Sequence, residues 1–255
     1  MERCWRWVAT GKHPSMRDYI NIGQTFPLAV SFSQWIDKGF RRMPPRNFGH
    51  SPCSWRFWAR GVSPQEITCG LMRDSCDSFG RPYPLMMMGN GTLDEWQNCW
   101  ELVPNACESA WTQMDKISVQ RFAEVESLER TVNRLPLPLS DWLAYSPRDD
   151  ENRGDGEPAM SDELECFQRQ LKNLSEKDAG YVALDPDSGL DCFGDVQLVG
   201  RILRECNGGV PSTVFLGGTA ELTWFAFFRR PLSAADFNTL WADLPQRKRA
   251  GMETT

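Results

Sequence analysis

Trp55-Arg56-Phe57-Trp58-Ala59 and the run from Glu66 to Met72 crowd aromatic and β-branched residues into short stretches bounded by glycine and proline, with a turn between them from Gly61 to Pro64. Such residues fit a pleated, half-buried surface, so this part of the chain is committed to strands. Trp55 and Phe57 would share one face of theirs, because side chains alternate across a strand. Trp5 to Thr10 supplies a further strand, broken by Gly11-Lys12-His13-Pro14-Ser15, where the proline pushes its predecessor out of the helical region. Pro84 to Met88 adds another after a tight loop through Asp77 and Gly80. These runs together predict a sheet.

Helical spacing lies between and after them. Phe32, Trp35, Ile36 and Phe40 recur at it from about Leu28 to Phe40, and Met43-Pro44-Pro45 ends that helix. From Thr92 onward Trp96, Trp100 and Val103 fall on one helical face, and Pro104 opens a second helix carrying Cys107, Ala110, Trp111 and Met114. Ser118 to Leu135 continues it with Phe122, Val125, Leu128, Val132 and Leu135, with Glu126 and Arg130 paired at i,i+4 on the wet side. Further on, Leu164 to Leu174 is a short helix, Tyr181 to Leu184 a strand, and Val196 to Glu205 a helix. Thr213 to Leu216 and Leu222 to Phe228 form a hairpin around Gly217-Gly218. The last helix starts at Ser233, capped with Asp236 at its third position, and buries Phe237, Leu240, Trp241 and Leu244. The fold class expected is α/β in the α+β sense, a single mixed or antiparallel sheet flanked by helices.

One segment interrupts this order. Ser146 to Glu165 holds eight acidic residues against two basic ones, with almost nothing apolar, and reads as a mobile insertion. It divides an α/β region at 1–145 from the remainder of the same domain at 166–245, and 246–255 forms a basic tail.

With 255 residues and 41% of them hydrophobic, the chain can build one large core. A net charge of −6 argues against nucleic acid, whose binders carry basic patches, and favours a protein partner. Met1 to Val8 interleaves Glu2, Arg3 and Arg6 with tryptophans and has no apolar signal-peptide core. The longest apolar stretch, Trp224 to Phe228, is far too short to span a bilayer, so the expectation is a cytoplasmic chain without membrane insertion. Nine cysteines form no CxxC pair and are read as reduced thiols. With His13 and His50 the only histidines, neither a metal site nor a cofactor is expected.

Tests for catalytic motifs mostly fail. Gly11-Lys12 lacks the earlier glycine of a phosphate loop, where Arg6 stands, and lacks a hydroxyl residue after the lysine, where His13 stands. There is no Gly-x-Ser-x-Gly elbow, although Ser75, Cys76 and His50 could converge. The densest polar cluster is Arg73-Asp74-Ser75-Cys76-Asp77-Ser78-Phe79-Gly80-Arg81, followed by Pro82-Tyr83-Pro84-Leu85. A scaffold accounts for it: Asp77 and Ser75 bond nearby amides, Gly80 takes a positive φ, and Arg81 clamps Asp18 or Asp77. Most of the eleven tryptophans keep core register.

The order of these pieces resembles the TagF-type, or ImpM-like, proteins of bacterial type VI secretion. Those open with a strand and a Gly-Lys-Leu-Pro segment leading to Arg-Gly-Asp-Phe; here Gly11-Lys12-His13-Pro14 leads to Met16-Arg17-Asp18-Tyr19. Their Trp-Leu-x-x-Gly helix end is matched by Trp35-Ile36-Asp37-Lys38-Gly39, and their Ser-Pro-x-Trp-Arg-Phe segment by Ser51-Pro52-Cys53-Ser54-Trp55-Arg56-Phe57 with one extra residue. Their Pro-Ser-x-Asp-x-x-Gly-Arg-x-Phe-Pro-Leu signature is matched from Asp74 to Leu85, carrying Ser75, Asp77, Gly80, Arg81 and Pro84 in place. The likeness covers about residues 5 to 90, and His13, Asp74 and Pro82 depart from the pattern.

The resemblance implies a post-translational regulator of type VI secretion, usually a repressor, that works by protein–protein interaction. Its partner would be a cytoplasmic component such as a forkhead-associated domain protein. Two other readings stand beside it: an enzyme using Asp18, Asp77 and Arg81 on a phosphorylated or acylated substrate, and a structural accessory subunit of the secretion machine.

Overall fold

The computed structural model of the chain describes residues 5–43, 52–139, 169, 171–184, 192–206 and 209–244. The strands are β1 (Arg6–Lys12), β2 (Tyr19–Gly23), β3 (Ser54–Arg60), β4 (Glu66–Arg73), β5 (Leu85–Thr92), β6 (Ala179–Leu184), β7 (Thr213–Gly218) and β8 (Thr223–Phe228). They form one eight-stranded open sheet in the order β2-β1-β5-β4-β3-β7-β8-β6. Every neighbouring pair is antiparallel, which decides between the two sheet types the sequence left open and makes the fold α+β. The last third of the chain enters the same sheet, because β7 pairs with β3 from Ser54↔Gly218 to Ala59↔Thr213.

Strand alternation sorts side chains onto two packed faces. On one face Trp7, Ala9, Trp58, Cys69, Leu71 and Met87 lie under α2 (Val103–Val119), α3 (Val125–Val132) and α4 (Cys192–Glu205). On the other, Val8, Trp55, Phe57, Met72, Met86 and Phe215 lie under α1 (Pro27–Phe40) and α5 (Ala234–Asn238), which a π-turn extends through Thr239–Asp243. Trp55 and Phe57 share a face as the alternation requires. Ten of the eleven tryptophans are described, and all ten are buried.

α1 and α5 are joined by specific contacts as well as by apolar area. The Trp35 indole N–H donates to the Ser233 carbonyl at 2.6 Å. The Phe237 ring lies where a Cβ on Gly39 would stand, so the closeness of the two helices depends on that glycine. Ser233 and Asp236 form the expected capping box, and Phe237, Leu240, Trp241 and Leu244 are all fully buried.

Three expectations need correcting. Tyr19–Gly23 is an edge strand with alternating exposed and buried residues, an element the sequence reading did not place. Trp96 and Trp100 do not share a regular helix: the chain turns through 94–99 with Glu95 at φ 56°, then makes a 3-10 turn at Trp100–Leu102. Ser118 to Leu135 is not continuous either, because α2 ends where Gln120 turns extended at ψ 145°, and α3 begins only at Val125. Phe122 still points into the core, which is why the apolar period runs on through a non-helical stretch. Arg130 donates from Nε to the Glu126 backbone carbonyl. Of the helix expected at Leu164 to Leu174, residues 169 and 171–175 are helical, whereas the acidic insertion, the 246–255 tail, Pro44-Pro45 and His50 lie outside the described residues. No helix among the described residues is long and apolar enough to cross a membrane.

Candidate interaction site

Two loops meet at one end of the sheet. The first, 13–18, leaves β1; the second, 74–84, links β4 to β5. β1 and β5 are neighbours, with Gly11 opposite Leu85, so both loops emerge side by side. Gly11 has φ 113°, and the Pro84 carbonyl occupies the place of a side chain there, so only glycine lets the strands leave the sheet this closely. The second loop closes on itself through a Cys76↔Pro82 bridge and through Tyr83 N–H donating to Ser75 O at 3.0 Å. It is sewn to the first loop by Ser78 N–H donating to Met16 O at 2.8 Å.

Asp77 sits at the junction with 1% of its surface exposed. Its Oδ1 accepts the backbone N–H groups of Phe79 and Arg81, each at 3.0 Å, which requires the tight turn that Gly80 makes at φ 77°. Its Oδ2 accepts Arg81 Nε at 2.6 Å and pairs with Lys12 Nζ at 3.1 Å. Burial alone would raise this carboxyl; the hydrogen bonds from Arg81, Lys12 and Phe79 override it and hold Asp77 far below the usual carboxylate range. Arg81 reaches on to Asp18 Oδ1 at 2.9 Å and to the Arg17 carbonyl at 2.7 Å, and its guanidinium lies over the Phe79 ring. Bonds to Asp77 and Asp18 push the Arg81 pKa further up.

Both carboxylates clamped by Arg81 were foreseen as alternatives, and both are used. Lys12, Arg81, Asp18 and Asp77 sum to no net charge. A buried carboxylate held ionised with four donors on it has no proton to give and no room to take one, so the group is suited to fixing loop shape. Ser75 departs from its expected role: its hydroxyl is buried and makes no hydrogen bond among the described residues.

The family-pattern residues therefore divide by position. Gly11, Lys12, Asp18, Asp77, Gly80, Arg81 and Pro84 converge at the junction, while Pro14 and Ser75 line the cleft beside it. Trp35, Trp55 and Phe57 belong to the core beneath α1 and α5. Arg56 lies on the opposite face, bonded to Glu108 at 2.8 Å and Asp115 at 2.9 Å on α2.

The adjoining cleft encloses about 310 Å³ between the two loops, Pro52 and the end of α2. Arg73 was noted from sequence as a member of the polar cluster, but its pairing with Ser118 was not, because only the fold brings the last residue of a strand beside the last turn of a helix forty-five positions away. Asp74, on the other side of the sheet end, accepts Cys53 N–H at 2.9 Å and the Trp241 indole N–H at 2.8 Å. It thereby ties the C-terminal helix to the loop.

Fold and junction together define an α+β protein in which Lys12, Asp18, Asp77 and Arg81 are bonded to one another at one end of the sheet. The chain belongs to the TagF N-terminal domain family, associated with the type VI secretion system, whose model matches residues 9–136. This bears out the resemblance drawn from the four sequence blocks. No protein of curated function matches the sequence. Among solved structures, the crystal structure of PA0076 from Pseudomonas aeruginosa PAO1 is similar in fold, with a TM-score of 0.52 at 17% identity, over 92% of this chain and 94% of that one.

Proposed function

We propose that this chain is a post-translational regulator of type VI secretion, a repressor that acts in the cytoplasm by binding another component of the machinery. A forkhead-associated domain scaffold is the candidate partner that the family resemblance suggests. The observation that supports binding over chemistry is the state of the junction: Asp77 is buried, ionised and saturated, and Arg81 is engaged by Asp77, Asp18 and the Arg17 carbonyl. Around the junction and the cleft, exposed apolar side chains stand among the exposed polar residues Arg17, Asp18, Ser78 and Arg81. Phe79 is 68% exposed, Val119 64% and Tyr19 48%, each next in sequence to a residue of the junction or the cleft wall. Exposed aromatic anchors within a polar rim are the pattern of recognition surfaces.

Affinity co-purification of the tagged protein from its own cell extract, followed by mass spectrometry, tests this reading. A secretion component should be recovered, and overexpression should lower secretion. Recovery of nothing above background, with secretion unchanged, overturns it. Recovery only with the assembled particle would make the chain a structural subunit instead.

A further inference from the structure

We infer that the cleft walled by Arg73, Ser75 and Ser118 is a binding site for an oxyanion, carboxylate or phosphate, carried on a side chain of the bound secretion component; this step rests on the protein-binding reading above.

The donors and acceptors around the cleft do not balance. Arg73 ends β4 and gives one N–H to Ser118 Oγ at 2.7 Å. Among the described residues no other acceptor takes a bond from its guanidinium, and no carboxylate pairs with it. Beside it the Ser75 hydroxyl is enclosed and has no partner among the described residues. The acceptors that could have used these donors are already occupied. Asp115 O accepts Ser118 Oγ at 2.6 Å, Lys116 O and Ile117 O accept Gln120 N–H, and Ile117 O also accepts His13 Nε2–H at 2.9 Å. These bonds occupy the Asp115, Lys116 and Ile117 carbonyls in the last turns of α2, where free ones would repel an anion.

Among the described residues, Asp74 is the one carboxylate in the wall. Adjacent residues at a strand end face opposite ways, and Asp74 directs its two oxygens to Cys53 N–H and Trp241 Nε1–H, away from the α2 side where Arg73 lies. The cleft is thus left with surplus donors: a planar guanidinium fork, which pairs bidentately with carboxylate or phosphate, and a hydroxyl able to supply a third bond. Pro14, Pro52 and Pro82 line it with stiff backbone. Its volume, about 310 Å³, is at the small end for ligand pockets and matches one acidic side chain better than a cofactor.

The test is a titration of the isotope-labelled full chain with inorganic phosphate, a phosphoserine peptide and a glutamate peptide at constant ionic strength, following backbone amide shifts at Ser75, Cys76, Ser118 and Val119. Saturable shifts confined to these residues are expected, weakened roughly tenfold by Arg73→Gln and several-fold by Ser75→Ala, and unaffected by Arg60→Gln at an exposed arginine elsewhere. Preference for phosphoserine over glutamate, or the reverse, identifies the oxyanion. Peptide binding tighter than inorganic phosphate places it on a polypeptide; equal binding places it on a free ion.

Ser75→Ala is the deciding variant. Its hydroxyl makes no bond among the described residues, so a purely structural Ser75 predicts an unchanged melting midpoint and unchanged shifts. Lack of saturation with every anion, or equal binding by wild type and both cleft variants, overturns the site. Because small anions are used without the partner, that failure is distinct from failure of the co-purification.

Discussion

His13 is sealed between the end of α2 and Phe122, at a position where the family pattern has leucine. Ser15 N–H donates to its Nδ1 at 3.2 Å, so Nε2 carries the proton and gives it to Ile117 O at 2.9 Å. Burial holds its pKa below the usual histidine value, outweighing the bond to Ile117 that favours the charged form. The unfolded chain therefore binds a proton at higher pH than the folded one. The stability His13 contributes is complete above about pH 6.5 and is lost as pH falls below that toward the folded value, at up to about 1.4 kcal/mol per pH unit. Urea midpoints compared across this window should show wild type losing stability relative to His13→Leu as pH falls; parallel curves would refute the assignment. At Arg81, replacement by alanine should lower the melting midpoint by a few degrees, since buried Asp77 loses its shortest partner and Asp18 its tether. Lysine should rescue little, because one ammonium cannot span two carboxylates and a carbonyl. An unchanged midpoint with lost repression would instead make Arg81 a direct contact. The Asp77–Arg81 pair was legible in sequence because both residues lie within one short turn, whereas Asp18, far from Arg81 along the chain, entered only as an alternative partner. The role of Asp74 was not, since its partners Cys53 and Trp241 come from distant parts of the chain.

At the scale of elements, α2 is fastened to the sheet by more than its apolar stripe. Arg56 projects from β3 to Glu108 and Asp115, one turn-pair apart on α2, and lies over the Trp111 ring. All three charged side chains are partly open to water, so the clamp is worth about 1 kcal/mol and should weaken with salt. A double-mutant cycle with Arg56→Met and Asp115→Asn, read by urea unfolding at low and high salt, should show that coupling and its decline; zero coupling at low salt would make the contact incidental. Elements whose own period reported their packing were readable in advance: α1, β3, β4, the β7–β8 hairpin and the capped α5. Those that failed did so for physical reasons. β2 is short, ends in glycine and packs only one side of an edge, and 94–102 places Trp96 and Trp100 inward from successive turns, which imitates a helix. Trp96 is held there by its indole N–H on the Pro64 carbonyl at 3.2 Å, a contact that no local pattern announces.

The whole molecule depends on a pairing that sequence order conceals. The region matched by the family model, 9–136, runs from within β1 through β5, but β3 is an inner strand only because β7 lies beside it. A chain ending at Leu139 would expose the β3 backbone from Ser54 to Ala59 as an unpaired edge. It would also uncover Trp55 and Phe57, which now pack against Phe215 and, for Trp55, against Trp241. Asp74 would lose the indole N–H it accepts from Trp241, so the loss would reach the loop junction as well. An unpaired strand with an aromatic face is a template for association with other chains. The shortened chain should therefore elute as aggregate in size-exclusion chromatography and bind a hydrophobic dye, and the partner should no longer co-purify with it. A monodisperse, dye-negative fragment would mean that the first five strands are a folding unit by themselves, and that the last third of the chain serves another purpose than completing the sheet.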